Sequence, residues 1–461
     1  MFINLKKYTK KLFLFYLIIN MLCISNHANS MDNYFGLGEF QYYKLNNGME
    51  VYLLPYENDI PVVGYNIIYK VGAYNEIIGH SGIAHYLEHL MFRSSDRYND
   101  IFGFIAKNSA VANATTSRDW TYYNALVPQY NFEKMMYMEA DRMNNIAITK
   151  KNIELEKKIV LEELNAARSN SSNISKLYDQ MHSVFYTNER SWNIIGFEDE
   201  IKNASVDDVM GIYKKYYRPS NAIIVIVGNY SMDKIIPILN ETFGKIKDNK
   251  ESIPIIDIKE PRRNSDKEMH IFLSDYSNAN NVLAYMFRVA DTKIGSKEQF
   301  TIEILAKLLG IDNIGKLCEY MVHSKEPKAS YCGIEFNYNT RGDKVFGITL
   351  SPSKGIDFLT LDTEFRDFIK NLKKGKLINN NDLSLIKESS TSSFIYLKSN
   401  IRNYKDLSLQ YLVAGVEPGS VDIPEIVNSI TIDDINLAIN KVFDFNNGSV
   451  TGSFLPQKDT K

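Results

Sequence analysis

Apolar residues along this chain fall into two kinds of run. "MEVYLLP", "VVGYNIIYKV" and "NAIIVIVGN" are short, rich in β-branched and aromatic side chains, and bounded by Gly, Asn or Pro, so they predict strands. Thr149 to Ser169 carries the 3.6-residue period of a helix instead. Strand and helix runs do not alternate strictly, which favours an α+β fold with largely antiparallel sheets over a doubly wound one. The pattern also repeats. "IKNASVDDVMGIYKKYY" from Ile201 and "IVNSITIDDINLAINKVF" from Ile426 stand about 225 residues apart. Each places a hydroxyl at the helix start, Ser205 or Thr431, and two acids in the first turn, Asp207-Asp208 or Asp433-Asp434, opposing the positive end of the helix dipole. The same offset sets "EKKIVLEEL" opposite "NDLSLIKES". The chain therefore reads as two homologous halves, residues 31–245 and 264–461. They are joined across 246–263, within the charged, proline-bearing run "GKIKDNKESIPIIDIKEPRRNS", an exposed linker.

Composition narrows the class. At 461 residues, 44 % hydrophobic and 23 % charged, this is a globular chain too long for one core. A net charge of -2 without a basic block argues against a nucleic-acid partner. Residues 1–30 have a basic start (Lys6, Lys7, Lys10, Lys11), an apolar run from Leu12 to Ile24, and Ala28 and Ser30 at cleavage-site positions, the layout of a secretory signal peptide. Its removal takes four lysines and no acid, leaving a charge of -6. Export to a periplasm, or to the outside, follows, with no membrane association after cleavage; an uncleaved anchor is the other reading. The remaining cysteines, Cys318 and Cys332, read equally as a disulfide or as two buried thiols.

Candidate chemistry concentrates in "SGIAHYLEHLMF", Ser81 to Phe92, a helix-compatible run opening on the cap-capable Ser81. His85 and His89 are four apart and share one helix face, with Glu88 beside them. A lone histidine in an apolar run is ordinarily packing. Two at this spacing around an acid predict a metal site, and H-x-x-E-H is the inverzincin order. The metal would activate a water for which Glu88 is the base. A third ligand has to come from another helix, and "IELEKKIVLEELNAARSN" offers Glu154, Glu156, Glu162 and Glu163. Glu154 and Glu162 read as a solvated face, whereas Glu156 and Glu163, two turns apart, share a face beside Ile159 and Val160.

With these runs in place, the chain resembles the insulinase/pitrilysin family of zinc metallopeptidases, most nearly its mitochondrial processing peptidase-like bacterial branch. "YKLNNGMEVYLLP", "YKVGAYNEIIGHSGIAHYLEHLMF", "NATTSRDWTYYNALVP", "IELEKKIVLEEL" and "YYRPSNAIIVIVGN" carry the resemblance in order across residues 43–229. It implies zinc held by His85, His89 and Glu163, Glu88 as general base, and Glu156 as an accessory carboxylate. It also implies two α+β halves enclosing a peptide chamber, and an edge strand at Asn113, Ala114 and Thr116 that pairs main chain to main chain with a peptide. An endopeptidase acting on peptides or unfolded segments is expected. A non-catalytic peptide-binding or scaffold subunit is the alternative, and a zinc hydrolase of non-peptide amides a third. "MFRSS" and "NSAVANATT" lack glycines common in the family. The second half carries "LLGIDNIGKL" where a second H-x-x-E-H would repeat, so one zinc per chain is expected. The arginine and tyrosine with which relatives complete the site do not align: His323 and Ser330 or Tyr331 fall there, and none is assigned. A homologous inactive subunit in a heterodimer, or a second copy in a homodimer, is the expected source.

Overall fold

Strands whose residues are apolar on both faces lie at the centre of their sheets, because helices cover them from both sides. Ala222–Gly228 and Val282–Val289 are buried at every position, while Thr121–Pro128 alternates buried and half-buried residues and sits one strand from an edge. The computed structural model describes residues 40–56, 61–170, 173–185, 193–249, 251–253, 268–275, 281–290, 292–310, 315–337, 344–447 and 449–456. The signal segment 1–30, and linker residues 254–263, lie outside the described residues.

The first half contains β1 (Gln41–Lys44), β2 (Glu50–Pro55), β3 (Val62–Tyr69), β4 (Val111–Thr116), β5 (Thr121–Pro128) and β6 (Ala222–Gly228), in the sheet order β1-β2-β6-β3-β5-β4. β2 and β6 run parallel, and every other neighbouring pair is antiparallel. Its principal helices are α1 (Ile83–Leu90), α2 (Phe132–Asn144), α3 (Lys150–Asn170), α4 (Asn173–Phe185) and α5 (Val206–Tyr216). The second half contains β7 (Met269–Asp275), β8 (Val282–Val289), β9 (Ala329–Asn337), β10 (Lys344–Pro352) and β11 (Val450–Pro456). Their order is β7-β11-β8-β10-β9, again with one parallel pair, β7 and β11. Its helices include α6 (Lys297–Gly310), α7 (Lys316–Met321), α8 (Asn380–Lys398), α9 (Ile401–Leu407), α10 (Leu409–Val413) and α11 (Ile432–Val442). Dropping β1 makes the two strand orders superimposable, so the duplication read from the sequence is a duplication of topology. The paired helix starts correspond too. Ser205 caps α5 and Thr431 caps α11, each in a reciprocal box with the acid three residues on, Asp208 or Asp434.

Each half lends a helix to the other's sheet. α4 places Leu177, Met181 and Phe185 against Val282, Ala284, Met286 and Val450 of the second sheet. Gly452 lets it settle there, since a Cβ at that position would stand 2.5 Å from Met181 Sδ. In return α10 places Leu409 and Leu412 among Tyr52, Ile68, Val225 and Val227 on the first sheet's second face. Lys405 of α9, fully buried, donates to Asn66 Oδ1 (3.1 Å) and Asp406 Oδ1 (2.6 Å) there. Asn66 answers by donating to the Lys405 carbonyl (2.9 Å), which leaves the buried ammonium and amide both satisfied. This exchange fixes the halves to one another.

Cys318 on α7 and Cys332 on β9 form a disulfide within the second half's core, settling the two readings left open above. It closes a loop with a sequence separation of 14. Chain-entropy arguments assign about 3 kcal/mol to a loop near that length. Replacing both cysteines with alanine is expected to lower the denaturant midpoint of the second half, measured by fluorescence, and to leave the metal content of the first half unchanged.

Candidate functional site

The helix that bears the histidines is defined at both ends by buried charge. α1 is preceded by Gly82 at its N-cap rather than by Ser81. Gly82 has φ +78, and a Cβ there would stand 2.1 Å from the Ile195 carbonyl oxygen, so this turn excludes other residues. Ser81 instead accepts the Phe197 N–H at 2.8 Å, and its own N–H donates to Glu200 at 2.6 Å. The capping acceptor is Glu76, six residues upstream of Gly82. Its buried carboxylate takes the Gly82 N–H (3.0 Å) and the Ala84 N–H (2.8 Å), placing negative charge at the positive end of the helix. At the other end Arg142 of α2 donates to the Met91 carbonyl at 3.4 Å. That guanidinium is fully buried, bound twice by Glu139 (2.6 and 2.8 Å) and faced by the Tyr123 ring at 4.5 Å.

α3 lies against α1. Its buried stripe is Ile153, Glu156, Val160 and Leu164, so one carboxylate occupies an otherwise apolar seam. The Tyr86 hydroxyl donates to the Ile153 carbonyl, and Arg93, one turn past His89, donates to Glu156 Oε1. Glu156 Oε2 meets His89 Nδ1 at 3.2 Å. Such a bond orients an imidazole and leaves its Nε2 lone pair for a metal. Glu163, half exposed at the mouth of the seam, brings Oε2 to 3.5 Å from His89 Nε2 and 3.7 Å from His85 Nε2. Among the described residues these three form the one group able to hold a metal, their donor atoms within 4.8 Å of one another. Tetrahedral zinc with bonds of about 2.0–2.2 Å needs donors about 3.3–3.6 Å apart, and the two distances from Glu163 lie close to that range. Glu154 pairs with Lys157 on the outer surface and Glu162 is exposed, as the solvated-face reading expected.

Electrostatics separate the groups of the site. Burial, assisted by the neighbouring His89, pushes His85 down to about 4, so its ring is neutral and ready to donate a lone pair. Burial opposes charge on His89 as well, but the carboxylates of Glu156, Glu163 and Glu88 outweigh it and raise that ring. Glu88 is raised chiefly by burial, against the lowering effect of Thr116 and His89. For Glu156, burial is overcome by the hydrogen bonds from His89 and Arg93, which hold its carboxyl below the ordinary range.

β4 is an edge strand. It pairs with β5 alone, and its other side carries no strand among the described residues. Asn113 points to the exposed face, whereas Ala114 and Thr116 point inward. The Thr116 hydroxyl donates to Glu88 Oε2 at 2.6 Å. Of the three residues expected to bind peptide, Thr116 thus has its side chain committed to the acid on α1. Glu76, Arg93 and Arg142 went unnoticed in the sequence. Arg93 alone had a signal there, four residues past His89 on the same face.

In the second half α6 takes the place of α1, between β8 and β9. Its buried Ile304, Leu305, Leu308 and Leu309 repeat the pattern of Tyr86, Leu87, Leu90 and Met91, which sets Glu303, Ala306 and Lys307 opposite His85, Glu88 and His89. This register corrects the expectation from a uniform offset, which put "LLGIDNIGKL" there. Lys307 donates to Ser390 of α8 at 2.9 Å, and Gln299 donates to Glu303 at 2.7 Å. An ammonium therefore links α6 to α8 where a metal would link α1 to α3. Of the residues near the missing arginine and tyrosine, Ser330 donates to carbonyls of β10 and Tyr331 is exposed on β9.

Comparison with known proteins finds two successive family matches. Residues 53–196 match the family model described as Insulinase (Peptidase family M16), and residues 203–390 match the Peptidase M16 inactive domain. The chain is 27 % identical over 406 residues to Zinc protease PqqE of Helicobacter pylori, covering 87 % of this chain and 89 % of that protein. It is 24 % identical over 423 residues to the uncharacterized zinc protease YmfH of Bacillus subtilis, covering 86 % and 92 %. A match to the mitochondrial-processing peptidase beta subunit of Caenorhabditis elegans, 26 % identical, covers 38 % and 39 %. The crystal structure of a protease from Helicobacter pylori aligns with TM-score 0.83 at 27 % identity, over 91 % of this chain and all of that one. The periplasmic protease PqqL of Escherichia coli aligns with TM-score 0.74 at 16 % identity, over 90 % and 47 %, a likeness of fold.

Removing the buried cap has a measurable consequence. Glu76→Ala strands two amide N–H groups at the start of α1, and a loss of about 1–3 kcal/mol is expected. Chemical denaturation checks this, with zinc affinity falling in parallel because the histidines ride on the destabilised helix.

Proposed function

The chain belongs to the insulinase (M16) peptidase family, and from that premise we propose that it is a zinc-dependent endopeptidase acting on peptides or unfolded protein segments. The observation that carries this reading is the convergence of His85, His89 and Glu163 from two helices, with Glu88 beside them. A non-catalytic peptide-binding subunit would need the open β4 edge but not this donor set, so the retained set favours catalysis.

His85, His89 and Glu163 would hold the ion, with Glu156 and Arg93 keeping the His89 ring turned toward it. Zinc, when bound, polarises the scissile carbonyl and makes a coordinated water acidic near neutral pH. Glu88 Oε2 accepts a hydrogen bond from the Thr116 hydroxyl, and the Glu88 carboxylate would take the proton of the attacking water and pass it to the departing amine. Asn113, Ala114 and Thr116 would present the outer edge of β4 to an extended peptide, main chain to main chain, in a mode that tolerates many sequences. The substrate would lie in a chamber between the two halves. One zinc per chain is expected, because Glu303, Ala306 and Lys307 replace the ligands and the base in the second half.

Export is part of the proposal. The residue 1–30 signal pattern, the Cys318–Cys332 disulfide, and the periplasmic description of the Escherichia coli relative all point to a compartment outside the cytoplasm. No helix among the described residues is long and apolar enough to cross a membrane. With none of His323, Ser330 and Tyr331 assigned to the missing pair, a homologous inactive subunit or a second copy of the chain would complete the site.

Two substitutions separate the roles. Glu88→Gln is expected to keep zinc and lose at least about a hundredfold in peptide cleavage, the scale of general-base catalysis; cleavage at the wild-type rate contradicts the mechanism. Glu163→Gln is expected to lose zinc on dialysis against a weak chelator. Glu162→Gln, at an exposed position outside the donor set, is expected to retain it.

A further inference from the structure

We propose that Thr116 is a positioning residue for the Glu88 base, and that β4 thereby sets both the register of the peptide and the location of the group that deprotonates its attacking water. This rests on the hydrolytic reading above and adds a residue to it. The hydroxyl bond is short and both partners are buried, Thr116 at 7 % exposure and Glu88 at 8 %. Among the described residues the Thr116 hydroxyl supplies the side-chain hydrogen bond of Glu88. A β-branched side chain has few χ1 choices, so the hydroxyl direction follows the strand backbone.

That backbone is itself anchored. Thr116 pairs with Thr121 of β5, whose hydroxyl donates to the Val71 carbonyl at 3.0 Å and stands 3.4 Å from the Thr116 oxygen. The turn beyond β4 accepts the Ala73 N–H at Ser117 (3.1 Å) and the Tyr74 N–H at Arg118 (2.9 Å). Gly72 permits this approach, since a Cβ there would stand 2.2 Å from the Ser117 carbonyl oxygen. The segment so fastened leads directly to Glu76, the cap of α1. The strand end, the base and the start of the histidine helix therefore form one rigid unit. A peptide adding to the free edge of β4 is placed relative to Glu88 by a strand, and a shift of the base would change the rate of the chemical step rather than peptide affinity.

The test compares zinc-loaded wild type with Thr116→Val, Thr116→Ser and Glu88→Gln, measuring zinc content, KM and kcat on a fluorogenic peptide. Valine keeps the shape and removes the donor. Thr116→Val is expected to bind wild-type zinc, keep KM within about twofold, and lose about ten- to a hundredfold in kcat, a fraction of the whole base contribution. Thr116→Ser is expected to recover most of that loss. A crystal structure of Thr116→Val should show the Glu88 carboxylate rotated from its place. An unchanged kcat, a defect confined to KM, a serine variant as slow as valine, or an unmoved Glu88 would each overturn the proposal. If Glu88→Gln cleaves like wild type, the hydrolytic reading fails and takes this inference with it; a silent Thr116→Val beside an inactive Glu88→Gln removes this inference alone.

Discussion

Everything at this site depends on α1 being unable to slide against α3. Two histidines on one helix and a glutamate on another can share an ion only while their donor atoms stay within a few tenths of an ångström of a common centre. The molecule meets that constraint by enclosing α1. Glu76 holds its first turn and Arg142 its last carbonyls, while Tyr86 is tied to the backbone of α3 and Glu156 is clasped between His89 and Arg93. Each anchor is buried or half-buried, where a hydrogen bond to a charged group is strong and an unmade one is costly. Glu163, by contrast, stays half open to solvent.

The second half packs against the first and shows no second metal-binding group among its described residues. Its sheet repeats the first half's topology, and α9 and α10 cover the face of the first sheet opposite α1, just as α4 covers a face of the second. Neither sheet could bury both faces alone. At α6, where the histidine pair has no counterpart, the Lys307–Ser390 bond joins α6 to α8. Burial raises the Glu303 carboxyl to about 7, so this position tolerates a neutral acid where the first half carries His85. The two helices thus match in their packing residues, Ile304, Leu305, Leu308 and Leu309 in α6, and differ in the polar ones.

Much of this was legible in the sequence, for physical reasons that differ by feature. The strands were readable because continuous apolar runs have few other destinations, and α3 because its period was long. His85, Glu88 and His89 were readable because helix geometry fixes what i, i+3 and i+4 share. The partner glutamates needed the family resemblance, since spacing along one helix cannot say which other helix it meets. Three features escaped. Glu76 caps from six residues away through a turn enforced by Gly82, which no capping rule at the helix start would find. Thr116 looked like a peptide contact because it lies on an edge strand, and only the inward pleat sends its hydroxyl to Glu88. The duplicate of α1 was misplaced because loops of unequal length shift the offset between halves from one element to the next.

The central claim is that α1 and α3 together bind one zinc ion through His85, His89 and Glu163. Anomalous diffraction collected on either side of the zinc edge, from crystals of the zinc-loaded full chain, tests it most directly. A single anomalous peak per chain, within about 2.0–2.2 Å of His85 Nε2, His89 Nε2 and a Glu163 carboxylate oxygen, is expected. A peak bound elsewhere, or none at this position in zinc-saturated crystals, would contradict it.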